Sequence, residues 1–491
     1  MENKNNRIFI IGAGFAGQEI AAELSRKEIF GRVTAFIDDS PAKIGTSIDG
    51  TPVFGPISDM KRIMREQPAD EAIIAIPGAP GDTLKRIYSI LKDTELKAVR
   101  LLPGLSQIID GDAHLIQTRE LLAEDLIGRD SAVISLKESL SYLRGRRVLI
   151  TGAGGSIGSE LSRQLLSGGA QRLYLLDHGE NNLYEIEAEL KLLQEEGVGE
   201  AATIVPVVGD LQDREYMDFI LNRLKADVIF HCAAYKHVPM METNPVEAIK
   251  NNVFGTKNLV DAAIKSGVSK FVLISTDKAV EPVSIYGSSK MIAEEIVLSA
   301  EAGKTEMIVV RFGNVLGSRG SIVPLFQKQI RKGGPVTITH PAIKRYFMTI
   351  PEAASLVLKA GGVGTGGSLY LLDMGEPIVI RDLAEQMIRF YGFRPEKEIR
   401  IVTIGLRPGE KLEEKLWSSD EVPQDTEYPG IIKLEKKARF NGKLTRLLDR
   451  LSGICFFDFE STENYRNRGI LRKILKEYIP ELEIPENEPE Y

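Results

Sequence analysis

The sequence predicts an α/β chain of two doubly wound, parallel-sheet domains in tandem, the second carrying a smaller C-terminal subdomain. Two observations predict it. A short apolar strand running into a glycine-rich turn and then a helix occurs twice, and each time a second apolar strand ends in an aspartate about 20 residues beyond the last glycine. The turns are Gly12-Ala13-Gly14-Phe15-Ala16-Gly17, followed by Asp38, and Gly152-Ala153-Gly154-Gly155-Ser156-Ile157-Gly158, followed by Asp177. The order of strand, glycine turn, helix, strand and acid is that of a Rossmann-like sheet.

In the first domain, residues 1–117, the run RIFII (7–11) reads as a buried strand. The glycines after it permit a tight turn and let backbone N–H groups approach a phosphate at the helix N-terminus. Val33–Ile37 forms the next strand and delivers Asp38 where a ribose-binding carboxylate belongs; EAIIAIP (71–77) forms another. Two readings of this turn stay open, a nucleotide site and a fold that keeps its glycines for packing. Residues 118–146 are charged and helix-prone and read as a helical linker.

The second domain, 147–420, opens with the strand Arg147–Thr151. Gly152, Gly155, Ser156, Ile157 and Gly158 are the expected phosphate cradle, and Ile157, Leu161 and Leu165 recur at helical spacing behind it. The strand Arg172–Leu176 delivers Asp177, which would accept from both hydroxyls of an adenosine ribose and repel a 2′-phosphate. That favours NAD, with NADP left open because His178 stands beside the acid. VVGD (207–210) places Asp210, with Leu211 next to it, at a strand end, either as an adenine contact or as a turn aspartate. VIFHCAA (228–234) is a buried strand whose Ala233 and Ala234 would let a cofactor pass close to the backbone. Three strands thus end at one crevice.

Composition narrows the classes. A chain of 491 residues, 43% hydrophobic and 27% charged, describes a soluble protein of two or three domains. The net charge of −7 offers no surface for nucleic acid or anionic membrane. Cys232 and Cys455 are too few for a disulfide framework, so a reducing cytoplasm is expected. No apolar run approaches the roughly 20 residues that span a bilayer. The start MENKNNR has no apolar stretch behind it, so no integral membrane segment is expected. The five histidines are scattered and no Cys/His spacing suits zinc, so no metal is expected. Residues 421–491 read as a C-terminal extension whose acidic, proline-rich end, IPELEIPENEPEY, is expected to be disordered.

The chemistry concentrates in Ile274–Lys290, ISTDKAVEPVSIYGSSK. A strand there passes into a helix, and Tyr286-x-x-x-Lys290 puts a phenol and an ammonium one turn apart on one face. A cation held there favours the phenolate, so that the tyrosine can take a proton from an alcohol.

The stretches VLITGAGGSIGSEL, LLDHGENNLYEIEAEL, HCAAYKHVPMME, NNVFGT, ISTDKAV with YGSSK, VRFGNVLGSRGS and GLRPGEKLEEKL together resemble the extended short-chain dehydrogenase/reductases. Within that superfamily the sequence is most similar to nucleotide-sugar 4,6-dehydratases of the bacterial polysaccharide-biosynthesis (CapD-like) group. The resemblance covers roughly residues 125–420, and the first domain resembles the one that precedes the catalytic domain in larger members. Those larger members carry membrane helices ahead of it, and none is expected in this chain.

The resemblance implies a UDP-N-acetylglucosamine or related UDP-hexosamine substrate, oxidised at C4, stripped of the C5 proton and C6 hydroxyl, and reduced at C6. It makes Tyr286 the base at the C4 hydroxyl. Lys290 lowers the tyrosine pKa and holds the nicotinamide ribose, while Thr276, or Ser275 beside it, bonds the C4 oxygen. Lys278 is assigned to C5 and Asp277 to the departing hydroxyl, with the two roles exchangeable. A 4-epimerase needs no such second pair. The tyrosine also likens the site to the soluble subgroup that inverts C5. On the substrate side the resemblance implies that Asn314 contacts the sugar diphosphate and that Arg319 and Arg407 pair with phosphate. Lys236 and His237 are candidate sugar or phosphate contacts, KRYFMT (344–349) and LRPGEK (406–411) close over the nucleotide, and Glu410 accepts a ribose hydroxyl. It implies at least a dimer, through helices near 181–196 and 286–303. The rivals are a UDP-sugar 4-epimerase and a sensor that binds NAD without turnover.

Overall fold

The computed structural model describes residues 6–26, 31–76, 79, 81–102, 119–120, 140–199, 201–436, 439–440, 442–459, 462–485 and 488. The chain divides into two compact units, Met1–Lys137 and Glu138–Tyr491.

In the first unit, β1 (Arg7–Ile11), β2 (Arg32–Ile37), β3 (Ser47–Ile48), β4 (Thr51–Phe54), β5 (Glu71–Ile74), β6 (Ala98–Leu101) and β7 (Arg119–Glu120) form one sheet. Its order is β3-β4-β2-β1-β5-β6-β7, with β1 parallel to both β2 and β5. Helix α1 (Phe15–Arg26) leaves the glycine turn and buries Ile20 and Leu24, one turn apart, in one core with Ile10 and Phe36. A Cβ on Gly17 would lie 2.1 Å from the Gly12 carbonyl oxygen, so helix and turn pack here only without a side chain. The expected helical linker lies mostly outside the described residues. What is described of it is β7, antiparallel to β6, and a 3-10 turn at Ser141–Leu143.

The second unit holds β8 (Arg147–Thr151), β9 (Arg172–Asp177), β10 (Thr203–Val208), β11 (Val228–His231), β12 (Lys270–Thr276), β13 (Glu306–Phe312), β14 (Ser368–Leu372), β15 (Glu421–Asp425) and β16 (Ile431–Lys436). They form one sheet in the order β10-β9-β8-β11-β12-β13-β14-β16-β15. The strands from β10 to β14 run parallel, and their interiors are the continuous apolar runs that burial on both faces demands, as in Leu149-Ile150 and Ile229-Phe230. Chain order reverses at β8, which has β9 on one side and β11 on the other, and this switch point opens a crevice at the strands' C-terminal ends.

Three features differ from the sequence expectation. Residues 421–436, read as part of an extension, form an antiparallel hairpin that completes the sheet beside β14. The acidic end is docked through its described residues: Leu482 is fully buried, the Glu483 N–H donates to the Val283 carbonyl at 3.2 Å, and Glu488 pairs with the buried Arg472. Composition pointed to disorder because such a segment has no core of its own, but a core and a guanidinium are supplied to it. Lastly, the helix Ile285–Leu298 has 13 of its 14 residues buried within its own chain. Its Ile292 and Ile296 share a core cluster with Leu447, Leu451, Leu471 and Leu475 of the C-terminal helices Leu444–Cys455 and Arg468–Tyr478. It therefore has no open face for the four-helix contact that the resemblance implied.

Candidate active site

The turn after β8 brings backbone from distant strands into contact. Gly152 has φ +66°, and a Cβ there would lie 2.7 Å from the Ala233 nitrogen, while one on Gly158 would lie 2.1 Å from the Gly152 carbonyl oxygen. Helix α2 (Ser156–Ser167) starts in this turn with no side-chain cap, which leaves its first N–H groups for an incoming anion. Asp177, at the end of β9, is buried, and its two oxygens accept from the Gly154 N–H at 3.0 Å and the Gly179 N–H at 2.9 Å. His178 Nδ1 stands 3.6 Å from it. Asp210 accepts from the Gln212 N–H at 2.9 Å, which is the turn-aspartate arrangement, and it also lines the crevice. Leu211, Ala233 and Ala234 line that same space of about 170 Å³. It runs on, through Gly152, Gly155 and Ala234, into a larger cleft of about 630 Å³ lined by Ser156, Ile157, Gly158, Thr276, Lys278, Tyr286 and Lys290.

β12 carries the chemistry into this cleft and stops at Thr276, where a 3-10 turn, Asp277–Ala279, begins. The next helix starts at Ile285, capped by Ser284, which accepts from the Gly287 N–H at 3.1 Å, and by Glu242, which accepts from the Ile285 N–H at 2.7 Å. Tyr286 therefore enters on the first turn of a helix fixed at its start. Thr276 Oγ1 donates to Asp277 Oδ1 at 2.9 Å, and Lys278 Nζ donates to the same oxygen at 2.9 Å and to Asn314 Oδ1 at 3.0 Å. Of the two hydroxyls expected near the C4 oxygen, Thr276 acts to lower the Tyr286 phenol, while Ser275 donates to Glu294 at 2.6 Å.

Burial pushes the Tyr286 phenol up to about 12, and the pull against that comes first from the Lys278 ammonium and then from Thr276. Lys290, expected to exert this pull, instead donates to the Ile274 carbonyl at 2.7 Å, and burial brings it down to about 8. Burial also lowers Lys278, but the Asp277 and Glu414 carboxylates more than restore it, so it stays an ammonium. Asp277 is fully buried, so it reaches the cleft through Thr276 and Lys278.

Residues 148–436 match the family model described as polysaccharide biosynthesis protein, and residues 1–103 match one described as a CoA-binding domain. The chain belongs to the polysaccharide biosynthesis protein family. It is 41% identical over 429 residues to the probable polysaccharide biosynthesis protein EpsC of Bacillus subtilis, covering 87% of this chain and 71% of that one. It is 32% identical over 303 residues to a UDP-N-acetylglucosamine 4,6-dehydratase (inverting) of Campylobacter jejuni, covering 61% of this chain and 85% of that protein. Among solved structures, Pen from Bacillus thuringiensis superposes with a TM-score of 0.53 at 33% identity, covering 60% of this chain and 88% of that one.

In this family member the expected substrate residues part company. Asn314 lines the cleft but spends its side-chain oxygen on Lys278. Arg319, expected at a substrate phosphate, is tied to the glycine turn: its guanidinium donates to the Gly154 carbonyl at 3.3 Å, to Asn182 at 2.6 Å and to Glu185 at 2.9 Å. Lys236 and His237 line the cleft, both lowered by burial. Arg407 is exposed on the cleft wall, and Glu410 accepts from the Arg407 N–H at 3.2 Å and from Thr339 at 3.1 Å. Three contributors were not singled out from sequence. Arg345, within KRYFMT, is buried and donates to the Lys411 carbonyl at 2.7 Å. Asn252, within NNVFGT, ties the Tyr235 backbone to Ser289 of the Tyr286 helix. Glu414 lies near Lys278 from a loop far along the chain. Each sits inside a stretch that had been quoted, but partners this distant in sequence leave no local pattern. Among the described residues no group of three or more His, Cys, Asp or Glu side chains is arranged to hold a metal, and no helix is long and apolar enough to cross a membrane.

Proposed function

We propose that this protein is an NAD-dependent UDP-N-acetylglucosamine 4,6-dehydratase that makes a 4-keto-6-deoxy sugar nucleotide for polysaccharide synthesis in the cytoplasm. The observation that carries the reading is the cluster Thr276–Asp277–Lys278–Tyr286 at the end of β12, on the same cleft as the Gly152 turn. The activity of the Campylobacter jejuni relative supports it.

The turn fits a dinucleotide: a Cβ would fill the space at Gly152, and Asp177 offers a ribose two acceptor oxygens that would repel a 2′-phosphate. NAD held there would supply the hydride transfer, out from C4 and back to C6. Tyr286 removes the C4 hydroxyl proton while Thr276 holds the oxygen, and Lys290 holds the nicotinamide ribose. With C4 a ketone, the C5 proton becomes acidic. Lys278 is the member of its pair that reaches the sugar. Starting as the ammonium, Lys278 gives a proton to the departing C6 oxygen, water leaves, and the amine so formed takes the proton from C5. That proton exchanges with solvent, and C5 takes one back as hydride arrives at C6. Arg407, Lys236 and His237 meet the diphosphate and sugar.

The test is turnover of UDP-N-acetylglucosamine in deuterated water. A dehydratase product carries solvent deuterium at C5. A converted sugar without it would identify a 4-epimerase, and bound cofactor with no conversion of any sugar nucleotide a sensor. Lys278→Ala is expected to abolish product and leave the cofactor bound.

A further inference from the structure

Lys278 has a third neighbour besides Asp277 and Asn314. Glu414 Oε1 stands 3.9 Å from its Nζ. The Glu414 side chain is only 4% exposed, and its Oε2 has no hydrogen-bond partner. Lys411 lies 3.8 Å from that oxygen but gives its hydrogen bond to the Val280 carbonyl at 2.8 Å. A buried carboxylate oxygen with no donor is unfavourable by itself. Here it lies between two ammonium groups, close enough to act on them through charge and too far to hydrogen-bond.

We infer that Glu414 is a positioning residue for Lys278, the third member of an Asp277–Lys278–Glu414 unit that sets the protonation of the amine facing the sugar. The inference rests on the dehydratase reading for its role in turnover. The charged and titratable groups facing Lys278 are Asp277 from its own turn, Tyr286 from the following helix, Arg345 from the strand Lys344–Arg345, and Lys411 and Glu414 from the loop after Thr403. Asp277 and Glu414 supply the negative charge, against burial and Arg345. Glu414 has no hydrogen bond to lose with Lys278, so its effect is electrostatic.

Glu414→Gln keeps the shape and removes the charge. On the full chain, the pH dependence of Lys278 acetylation by acetic anhydride, read by mass spectrometry, reports the amine directly. Its midpoint is expected to fall by about one pH unit in the variant, a tenfold change in the protonation equilibrium. With UDP-N-acetylglucosamine, C5 deuterium exchange is expected to slow about tenfold and C4 oxidation, followed by cofactor absorbance, to stay within about twofold, with Glu414→Asp regaining part of the loss. An unmoved labelling midpoint overturns the inference, as does an equal loss in both steps, which marks a structural role. If the wild-type protein exchanges no C5 hydrogen, the dehydratase reading fails, while the labelling still decides for or against Glu414.

Discussion

After β1 the chain turns through Gly12 at φ +104°, and after β8 it turns through Gly152 at φ +66°. In both units the closing glycine, Gly17 or Gly158, would place a Cβ 2.1 Å from the carbonyl oxygen of the opening one. In both, the aspartate ending the next strand reaches back to the turn: Asp38 accepts from the Ala13 N–H at 2.9 Å and Asp177 from the Gly154 N–H at 3.0 Å. The units differ in what completes the aspartate and what lies across the turn. Asp38 also takes the Lys43 ammonium at 3.0 Å, and what faces Gly12 is the Ala75 backbone and the Ile76 side chain. Each aspartate takes a second backbone N–H, Asp38 from Ser40 at 2.8 Å and Asp177 from Gly179 at 2.9 Å, and across Gly152 lie Ala233 and then the cleft with Thr276, Lys278 and Tyr286. A glycine turn with its acid is therefore a way of packing a parallel sheet. In the second unit the neighbouring strand ends add the chemistry.

The sharpest way to break this comparison is at the chemistry described in the second unit. Tyr286→Phe is expected to slow C4 oxidation by roughly 10²–10⁴-fold with the fold intact, measured as cofactor reduction in a single turnover. Asp38→Asn, the counterpart change at the first turn, should leave turnover within about twofold. Next in size, Gly158→Ala and Gly17→Ala should each destabilise their own unit by about 1–3 kcal/mol, seen as the shift of one transition in calorimetry. Only Gly158→Ala should also empty the cofactor site. Gly14→Ala, with nothing within 4 Å of the new Cβ, should shift neither. Asp177→Asn should weaken NAD binding about tenfold by titration, the scale of one charged hydrogen bond, and narrow the preference over NADP.

A further effect separates the units by acid. Burial and then Lys290 hold His231 down to about 3, while Thr151 and Thr256 bond its two nitrogens. The unfolded histidine binds its proton near the usual 6.5 and the folded one does not, so this contribution to stability is present above 6.5 and is lost as pH falls toward 3. In the first unit, Asp38 sits below the usual carboxylate range, against burial, because of the Ser40 and Ala13 N–H groups and Lys43. That stability is present above the ordinary aspartate pKa and is lost only as pH falls below it. Between pH 6.5 and 4 the second transition should therefore move to lower temperature before the first, and His231→Asn should remove the difference.

Both turns, both acids, the buried strands and the Tyr286–Lys290 face were legible because each is written within about 20 residues of contiguous chain, where period and spacing speak directly. The rest depends on pairs far apart in sequence. Nothing near Arg319 reveals that Gly154 and Asn182 will claim its guanidinium, and nothing near Glu414 reveals Lys278. The YxxxK spacing correctly put Lys290 on the face of Tyr286, but the bond to the Ile274 carbonyl depends on how β12 meets the helix. Residues 421–436 look like an extension because an antiparallel hairpin at the edge of a parallel sheet breaks the alternation that marks the other strands.

The buried guanidinium of Arg472 holds more than the end of the chain. It donates to Glu242 at 2.8 Å, the same carboxylate whose other oxygen receives the Ile285 N–H one residue before Tyr286. Glu488 closes the other side of that guanidinium. A C-terminal truncation at residue 480, or a protease nick there, would strip Leu482 and Glu488 and leave Arg472 a buried cation with half its counter-charge. Expression variants shortened to tidy an acidic end should thus show their damage at the opening turn of the tyrosine's helix, a long way along the chain from the cut.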